Sequence, residues 1–401
     1  MNKIGSVQGK NILLLQGPMG NFFKKLDILL QQHNATTYKI GFNAGDSFFS
    51  NHYNYIPYRD KKENYASFIS RFLKEKKIDI IFLFGDCRYY QSISIKVAKT
   101  LHIKVFVFEE GYIRPNYITM ELYGVNNFSS ISRDASFYQK LPLKKEPEVV
   151  EVHNSRFKMI MSAIFYYLIA NIFYFRYPYY EHHRDFSAIK EAFFGIRSFV
   201  RKLIYPFYEK KYLQIIKTQL SKKYFFVPLQ THNDFQILTH SPYNSIEEFI
   251  EEVLQSFAQY SQQDDWLIFK HHPVDRGRKN YTKFITQRAK ALFVDKRVIV
   301  LYDTHLPTLL KHTKGTITIN STVGLSSLYH NTPTITLGYA LYDIKGLTSK
   351  GIPLKEFWHN QQKPDKDLFK KYRLFLIENT QLNGSFYGKF PKFPFEEDKK
   401  E

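Results

Sequence analysis

The sequence predicts an α/β protein with two domains. Its 401 residues exceed the usual size of one domain, so two domains of roughly 150 to 200 residues are expected. Short apolar runs typical of strands alternate with amphipathic stretches typical of helices, and this rhythm indicates parallel sheets. Because ligands of open parallel sheets bind at the carboxyl ends of strands, the polar and glycine-rich loops after these strands are expected to line a cleft.

The first predicted domain, residues 1–150, alternates strands and helices from its beginning. A strand at 12–15 leads through Gln16-Gly17-Pro18-Met19-Gly20 into an amphipathic helix. Later strands end at Asn43-Ala44-Gly45-Asp46 and at Gly85-Asp86-Cys87-Arg88. The predicted elements are, in order, strand 12–15, helix 22–32, strand 37–42, helix 66–76, strand 79–84, helix 92–101 and strand 104–108.

A second set of elements occupies residues 223–370 and begins with a strand at 224–227. The loop after this strand contains Asp234, which is either a carboxylate nucleophile or the cap of a short helix. The final residues, 371–401, are rich in Lys, Phe and Pro and are expected to pack back across the domains or to fray. The other elements predicted here are helix 245–260 and strands 266–269, 298–301, 316–319 and 334–337.

Residues 151–222 form a helical, aromatic and basic insertion between these two domains. The run 159–175 is almost wholly apolar, but it scarcely reaches the roughly 20 residues that a spanning helix needs. Basic residues before it and tyrosines after it suit a helix lying in the membrane interface. A helix buried between the domains is the alternative. The basic stretch 197–211 either extends the membrane-facing surface or forms a solvated helix face.

The composition is strongly basic, with 57 Lys and Arg against 37 Asp and Glu, a formal net charge of +20. Such a charge attracts nucleic acid, anionic lipid or anionic small substrates. The sequence has no zinc-finger spacing, basic zipper region or aromatic RNA-binding signature, so we expect lipid and anionic substrate rather than nucleic acid. A soluble basic protein without these partners is the alternative.

The single cysteine, Cys87, excludes an intrachain disulfide, and this is typical of a reducing compartment. Its surroundings are not those of a thiol nucleophile, so we interpret it as structural. The N-terminus lacks the charged, apolar and small-residue pattern of a signal peptide. The protein is therefore expected to stay in the cytoplasm.

Three polar islands after predicted strands contain the candidate chemistry. In the first, Glu109 and Glu110 precede Gly111, so a sharp turn can direct one carboxylate into the cleft while the other points away. Adjacent carboxylates raise each other's proton affinity, which favours a general acid or base near neutral pH. Taken alone, the motif is more typical of a surface turn.

The other two islands are Lys270-His271-His272-Pro273 and Asn320-Ser321-Thr322-Val323-Gly324. Strand alternation places His271 and His272 on opposite sides, so one imidazole could meet a phosphate while the other is structural. In the last island, hydroxyls and backbone N–H groups open a helix through Leu328. They form either an anion site or an ordinary N-cap.

These residues resemble the KpsS type of bacterial capsular polysaccharide biosynthesis proteins, and the likeness extends over nearly the whole chain. Glutamate-rich turns and His-Pro motifs also occur in bacterial sialyltransferases, which is a looser likeness. The stretches that carry the resemblance are Leu14-Leu15-Gln16-Gly17-Pro18, Asn43-Ala44-Gly45-Asp46, Phe84-Gly85-Asp86-Cys87-Arg88, Glu109-Glu110-Gly111-Tyr112-Ile113-Arg114-Pro115, Pro228-Leu229-Gln230 with Asp234, His272-Pro273, Asn320-Ser321-Thr322-Val323-Gly324-Leu325 and Asn383-Gly384-Ser385-Phe386-Tyr387.

The resemblance implies a GT-B-like glycosyltransferase, with two Rossmann-like domains facing a cleft and the helical, aromatic-rich insertion between them. It implies a retaining transferase that moves 3-deoxy-D-manno-octulosonic acid (Kdo) from CMP-β-Kdo to lysophosphatidylglycerol at the cytoplasmic face of the inner membrane. This reaction would begin the poly-Kdo linker of capsular polysaccharide. Other capsule assembly and export proteins are the expected protein partners.

The resemblance also implies roles for individual residues. Asp234 would attack the anomeric carbon of Kdo, Glu110 or Glu109 would provide acid/base catalysis, and His272 would stabilise the departing phosphate. The residues expected to bind the donor are Gln230, Lys270, Pro273, Asn320, Ser321 and Thr322, and those expected to line the acceptor side of the cleft are Gly17, Asp46, Asp86, Arg88 and Arg114.

CMP leaves as a phosphate anion, and His, Lys and a helix N-terminus can neutralise that charge. We therefore predict activity that needs neither a metal ion nor another cofactor. Two alternatives stay open. One is another CMP-sugar enzyme, such as a chain-extending Kdo transferase or a sialyltransferase, and the other is a non-catalytic capsule assembly or export factor that only binds nucleotide.

Overall fold

A computed structural model describes residues 4–153, 155–181, 188–232 and 235–395. The chain forms two compact units, each built on its own sheet. The first unit comprises Met1–Ser130, Glu146–Ala188 and Phe375–Glu401, and the second comprises Ile131–Lys145 and Ile189–Leu374. These bounds differ from the four predicted ranges, because residues 146–188 and the C-terminal segment both group with the first unit.

The sheet of the first unit has the strand order β3-β2-β1-β4-β5-β6-β12. Strands β1 to β5 are parallel, whereas β6 pairs antiparallel with both β5 and β12. The order reverses between β1 and β4, as in a Rossmann-type sheet. The strands are β1 Asn11–Leu14, β2 Thr36–Gly41, β3 Tyr55–Pro57, β4 Ile80–Phe84, β5 Lys104–Glu110, β6 Tyr117–Leu122 and β12 Gln381–Asn383.

Helices cover both faces of this sheet because its central strands are apolar on both sides. On one face of the sheet, Leu13 packs into a core with Tyr65 and Ile69 of α3. On the opposite face, Ile12 packs into a second core with Leu26 of α1. The helices of the first unit are α1 Phe22–Gln32, α2 Ala44–Phe48, α3 Tyr65–Glu75, α4 Tyr89–Thr100 and α6 Arg156–Ile172.

The sheet of the second unit has the order β9-β8-β7-β10-β11, and all of its pairings are parallel. Its strand order reverses between β7 and β10. Each unit therefore repeats the same five-strand parallel arrangement, and the predicted α/β class with two Rossmann-like sheets is confirmed. The strands are β7 Tyr224–Pro228, β8 Trp266–Lys270, β9 Val298–Leu301, β10 Gly315–Thr318 and β11 Thr334–Thr336.

The helix α9 illustrates how the second sheet is covered. It begins at Ser245, whose side chain accepts the backbone N–H of Glu248, and it buries Phe249, Ile250 and Val253 against the sheet. The helices outside the first unit's set are α5 Ala135–Gln139, α7 Ala188–Thr218, α8 Phe235–His240, α9 Ile246–Tyr260, α10 Thr282–Ala291, α11 Leu306–His312, α12 Val323–Tyr329, α13 Leu354–Phe357 and α14 Lys366–Thr380.

The helix α6 contains most of the predicted aromatic run. Tyr166 is its one buried residue among those described, and most of its other large apolar side chains are exposed. The longer helix α7 also exposes large apolar side chains. Across the described part of the chain, we find no helix whose length and apolar character would let it cross a bilayer.

Candidate functional site

Each unit places polar side chains where its strand order reverses. In the first unit this point lies between β1 and β4, which are followed by Gln16 and by Gly85-Asp86. In the second unit it lies between β7 and β10, which are followed by Gln230 and Asn320. Chains diverge at such a point and leave a crevice, so ligands of α/β sheets bind there.

Asp46 is the centre of a buried hydrogen-bond network in the first unit. Gln16 Nε2 donates to Asp46 Oδ2 at 3.1 Å and to Tyr166 Oη at 3.1 Å, and Tyr166 Oη donates to Asp46 Oδ1 at 2.9 Å. The backbone N–H of Phe42 donates to Asp46 Oδ2 at 2.9 Å. Asp46 therefore anchors α6 at the ends of the strands, although it was expected to line the cleft.

The predicted cleft residues Asp86 and Gly17 are also engaged inside the first unit. Asp86 is buried and accepts the backbone N–H of Val125 at 2.8 Å and the Cys87 thiol at 3.1 Å. A Cβ at Gly17 would lie 2.6 Å from the Phe23 ring, so glycine is needed for α1 to pack here. Cys87 thus has a structural contact.

Glu109 and Glu110 lie at the end of β5 and differ in exposure. Glu109 is half-buried and accepts the backbone N–H of Glu110 at 3.0 Å, whereas the Glu110 side chain is exposed. Burial raises the pKa of Glu109 to about 7, and the charges of Glu110 and Asp86 act in the same direction. A carboxyl group with this pKa exchanges protons near neutral pH, so Glu109 is the better placed of the two for acid/base chemistry.

Tyr387, which was not assigned a role from the sequence, lies near Glu110. The pKa of the Tyr387 phenol is raised to about 12, mainly by burial and also by the charge of Glu110, while Arg88 opposes the rise. The Arg88 guanidinium lies 5.6 Å from the centre of the Phe84 ring. Arg114 is exposed and donates from Nε to the Gly111 carbonyl at 3.2 Å. The carboxylate turn is therefore bordered by two arginines and a phenol.

In the second unit, Gln230 and Asn320 join the two strands at the reversal point. Gln230 Nε2 donates to Asn320 Oδ1 at 3.0 Å, and the Asn320 backbone N–H donates to Gln230 Oε1 at 3.3 Å. Asn320 Nδ2 also donates to the His240 carbonyl at 3.2 Å. These two predicted donor-binding residues are brought together and fix the ends of β7 and β10.

The two adjacent histidines have different surroundings. His271 is buried and stacks on Tyr302 with ring centres 4.7 Å apart, and burial lowers its pKa to about 4, so it is neutral and structural. His272 is half-buried, and its Nδ1 accepts the backbone N–H of Val274 at 3.2 Å. This contact assigns the proton of the neutral ring to Nε2, which can donate to an oxyanion.

The other members of this island are Lys270 and Pro273. Lys270 is buried, and burial lowers its pKa, while the charges of Asp303 and Glu209 oppose the decrease. Pro273 is the first residue of a short 3-10 helix, Pro273–Gly277, which His272 caps. The proline therefore fixes the direction in which the chain leaves β8.

Ser321 and Thr322 precede α12, which has seven residues. Ser321 Oγ accepts the backbone N–H of Val323 at 3.2 Å, and the Ser321 carbonyl accepts the Tyr342 hydroxyl at 2.6 Å. Thr322 occupies the N-cap position and makes no capping hydrogen bond with its side chain. Ser321 thus acts partly as an ordinary cap, which leaves Thr322 as the better candidate for a ligand contact.

Sequence reasoning missed one further pair, His232 and Asp275. Asp275 Oδ2 accepts the His232 backbone N–H at 2.8 Å, and Oδ1 accepts Nδ1–H of the ring at 2.6 Å. The Asp275 side chain is 1% exposed and the His232 side chain 31%. A carboxylate that holds Nδ1–H fixes the tautomer and leaves Nε2 for a ligand. The expected nucleophile Asp234 lies outside the described residues.

No group of three or more His, Cys, Asp or Glu side chains that could hold a metal ion occurs among the residues that the structure describes. The chain does contain one Asp-x-Asp pair, Asp365 and Asp367. Asp365 accepts the backbone N–H groups of Asp367 and Leu368 at 2.9 and 3.0 Å, so it caps α14.

Comparison with known proteins relates the chain to capsule biosynthesis. Residues 79–387 match the family described as "Capsule polysaccharide biosynthesis protein". The chain is 39% identical over 381 residues to the capsule polysaccharide export protein KpsS of Escherichia coli, which covers 95% of this chain and 98% of that protein. It is 38% identical over 388 residues to the capsule polysaccharide modification protein LipB of Neisseria meningitidis serogroup A, covering 94% and 92%.

Among solved structures, the chain is similar to the β-Kdo 2,7-transferase of Thermosulfurimonas dismutans KpsC. The TM-score is 0.41 with 13% sequence identity, and the match covers 90% of this chain and 88% of that one. A second match is the UDP-N-acetylglucosamine 2-epimerase of Methanocaldococcus jannaschii, with a TM-score of 0.27, 14% identity and coverage of 96% and 97%.

Proposed function

Because the chain belongs to the capsule polysaccharide biosynthesis protein family and is of its KpsS type, we propose that it is a retaining β-Kdo transferase. The donor is CMP-β-Kdo, the acceptor is lysophosphatidylglycerol, and the product begins the Kdo linker of capsular polysaccharide. The observation that carries the proposal is Glu109, a half-buried carboxyl group whose pKa rises to about 7 at the carboxyl end of a parallel strand.

In the first step, the Asp234 carboxylate attacks the anomeric carbon of Kdo and forms a glycosyl-enzyme bond. The bond from that carbon to the phosphate oxygen breaks, and its electron pair leaves with CMP. His272 donates from Nε2 to the departing phosphate, and the Thr322 hydroxyl and the Gln230–Asn320 pair hold the nucleotide end. These contacts would stabilise the charge that develops on the leaving group.

In the second step, a hydroxyl of the acceptor attacks the same carbon and displaces Asp234. Glu109, as a carboxylate, accepts the hydroxyl proton, while Glu110 and Arg88 position the acceptor at the exposed side of the turn. Two inversions give net retention. Glu109 is deprotonated in about half of the molecules near pH 7, so it can act as a base at the pH of the cytoplasm.

The direct test is mass spectrometry of the products from CMP-Kdo and lysophosphatidylglycerol. The proposal predicts the acceptor mass plus one or more Kdo units for the wild-type protein and loss of product for Asp234→Ala and Glu109→Gln, while cooperative thermal unfolding shows that both variants are folded. Parallel reactions with CMP-sialic acid test the alternative donor. Wild-type rates in both variants would show that the site is wrongly assigned.

A non-catalytic role is the second candidate, because the Escherichia coli relative is named an export protein. In that case the two polar islands of the second unit would bind nucleotide without turnover. The same reaction distinguishes the two: CMP binding without any release of CMP from CMP-Kdo, in the presence of acceptor, would favour the export factor. We propose peripheral attachment to the inner face of the inner membrane and contact with other capsule proteins in either case.

A further inference from the structure

A cavity of about 410 Å³ lies within the first unit, beside the helix α6. The amino end of α1, the end of α2, the first turns of α6 and the segment after β12 supply its walls. These walls are mainly apolar, and their central side chains are Phe22, Phe49, Met161, Phe165, Phe386 and Phe390. Pockets of 300 to 1,000 Å³ with such linings commonly bind one small apolar ligand.

Two lysines, Lys25 and Lys158, also line this cavity. Both side chains are exposed, and neither has an acidic partner within ion-pair distance in the described ranges. The cavity therefore combines an apolar interior with positive charge that the protein does not neutralise. A ligand that matches both features has an apolar chain and an anionic head.

The cavity adjoins the carboxylate turn described above. Tyr387 lines the cavity, and its phenol is close enough to Glu110 and Arg88 for both charges to act on its pKa. Ser162 of α6 also lines the cavity and lies close to Gly20, in the loop after β1. A Cβ added at Gly20 would lie 3.0 Å from Ser162 Oγ. A ligand in the cavity can thus extend its head toward the strand ends.

The volume of the cavity matches a ligand with one chain. One water molecule occupies about 30 Å³ in the liquid, and a methylene group is of similar size, so the cavity has room for about a dozen chain carbons. The helix α6 that forms one wall also exposes Ile160, Ile164 and Leu168, which do not line the cavity. A chain leaving a bilayer would therefore meet apolar side chains on its way to the cavity.

We propose that this cavity binds the acyl chain of a single-chain anionic phospholipid, with Lys25 and Lys158 at its phosphate and its head group toward Tyr387 and Glu110. The inference rests on the proposed function only in taking the reacting hydroxyl to be that of the bound lipid. It assigns to the first unit a lipid site that delivers the acceptor to the carboxylate turn.

Equilibrium binding of three probes to the full-length protein tests the site. The probes, used below their critical micelle concentrations, are lysophosphatidylglycerol, lysophosphatidylcholine with the same chain, and glycerol phosphate without a chain. We expect at least tenfold tighter binding of the anionic lysolipid than of the zwitterionic one, and no measurable binding of glycerol phosphate. Equal affinities for the two lysolipids would overturn the charge assignment.

Variants locate the binding site. The double variant Lys25→Gln, Lys158→Gln should bind the anionic lysolipid about tenfold more weakly. Its affinity for the zwitterionic lysolipid should not change. Met161→Trp, which fills the cavity, should abolish the binding of both lysolipids. Lys24→Gln, at a neighbouring lysine outside the lining, is the matched control and should bind as wild type does. Wild-type affinity in the first two variants would place the lipid elsewhere.

Since a bulky side chain at Met161 could disturb α6, a lysolipid with a photoreactive diazirine in its chain gives a second measurement on the wild-type protein. We expect cross-links to peptides containing residues 157–165 and 385–390, and cross-links elsewhere would overturn the inference. Lipid binding at the cavity without Kdo transfer would contradict the proposed reaction alone. Kdo transfer with an unchanged lipid KM in the cavity variants would contradict the lipid site alone.

Discussion

Glu109 and Glu110 are adjacent in sequence, but alternation along β5 places them in different surroundings. The Glu109 side chain turns toward Gly85, and a Cβ added at Gly85 would lie 3.9 Å from Glu109 Oε2. The carboxyl group of Glu109 is therefore shielded from solvent on that side. Glu110 remains exposed. The sequence could predict that one carboxylate would have a perturbed pKa, but not which one, because burial rather than the neighbouring charge is the largest cause.

Proton transfer by Glu109 predicts a pH dependence of the transfer rate. A general base must be deprotonated, so the rate should rise with pH through about 7, the pKa of Glu109, and level off above it. Glu109→Gln should lower kcat by 100-fold or more and remove this rise. Glu110→Gln should chiefly raise the acceptor KM. Rates measured from pH 5.5 to 8.5 check this, and an unchanged profile in Glu109→Gln would exclude the residue as the base.

The same carboxyl group predicts how stability depends on pH. Below pH 4.5 it is protonated in the folded and unfolded chain, whereas between 4.5 and about 7 only the folded protein keeps the proton. The free energy of unfolding should therefore fall as pH rises through this window, by on the order of 3 kcal/mol for this group. Glu109→Gln should unfold at a higher denaturant concentration than wild type at pH 8 but not at pH 4. Equal shifts at both pH values would contradict the argument.

His232 and Asp275 lie 43 positions apart and follow different strands, so no local motif in the sequence connects them. Their positions in the predicted sheet could have identified them, since each follows the carboxyl end of one of two neighbouring parallel strands. By contrast, His272 was identifiable because proline beside it restricts the chain locally. The pairing of a buried carboxylate with an exposed imidazole is a property of the folded unit alone.

This pair predicts a graded effect on donor binding. His232→Asn keeps an amide near the Nδ1 position and its contact with Asp275, but removes Nε2, whereas His232→Gln places an amide near Nε2. If Nε2 contacts the donor phosphate, His232→Asn should weaken CMP binding about tenfold and His232→Gln much less. Calorimetric titration with CMP measures both. Equal binding by wild type and His232→Asn would assign the pair a purely structural role.

The helix α6 is attached to its unit through close contact at a glycine. A Cβ at Gly45 would lie 2.7 Å from the Tyr166 carbonyl oxygen, and the Tyr166 hydroxyl is held by Asp46 and Asn43. The apolar run in the sequence predicted a helix, either at the membrane interface or buried between the domains. It could not predict that one buried tyrosine would anchor it, because the partners of that tyrosine come from α2 and its N-cap residue.

Gly45→Ala should therefore destabilise the protein and loosen α6. Overpacking of this kind costs about 1 to 3 kcal/mol. Gly195→Ala is the matched control, since a Cβ there meets nothing within 4 Å and alanine favours a helix, so it should be neutral or slightly stabilising. Chemical denaturation of both variants gives the comparison. Equal stability of the two variants would show that the contact at Gly45 is not tight.

The helix α7 lies in the predicted helical insertion, where its basic stretch was expected to face the membrane or solvent, although one of its faces is tightly packed. Arg201 donates to the Arg276 carbonyl at 2.7 Å, Tyr205 stacks on Tyr302 at 4.1 Å, and Glu209 accepts the Thr304 hydroxyl at 2.6 Å. These residues recur at a spacing of four, so they share one face. Their types are polar or aromatic, which is why a hydrophobic pattern did not reveal this packed face.

The strands that sequence reasoning missed are those whose residues depart from simple apolar runs. β6 contains Glu121, which is buried against the hydroxyls of Tyr112 and Ser129, and β12 has only three residues. β3 is equally short and ends in Pro57. β3 and β12 are also the two edge strands of the sheet, so each pairs with one neighbouring strand only.

At the scale of the whole molecule, the charge of +20 and the exposed apolar helix faces point to the same partner. In the first unit, α6 exposes Ile160, Ile164 and Leu168, and in the second, α7 exposes Phe199 and Phe207. Exposed apolar patches of this kind are rare on soluble proteins that have no binding partner. Basic residues beside them would be attracted to an anionic leaflet.

This combination predicts binding to vesicles that depends on both lipid charge and helix surface. Wild-type protein should sediment with phosphatidylglycerol-rich vesicles at 0.1 M salt and bind far less at 1 M, because the screening length falls from about 10 to about 3 Å. It should bind zwitterionic vesicles weakly. Serine at Ile160, Ile164 and Leu168, which are exposed and do not line the cavity, should weaken binding about tenfold, and serine at Phe199, Leu203 and Phe207 should act similarly.

Tyr166 is excluded from the first set because it is buried and hydrogen-bonded to Asp46, so its loss would disturb the fold itself. The control is Phe293→Ser, which removes an apolar side chain that is 93% exposed but lies outside both helices. It should bind as wild type does. If it weakened binding as much as the helix variants, the attachment would depend on general surface hydrophobicity, and the two helix faces would have no specific role in holding the protein at the membrane.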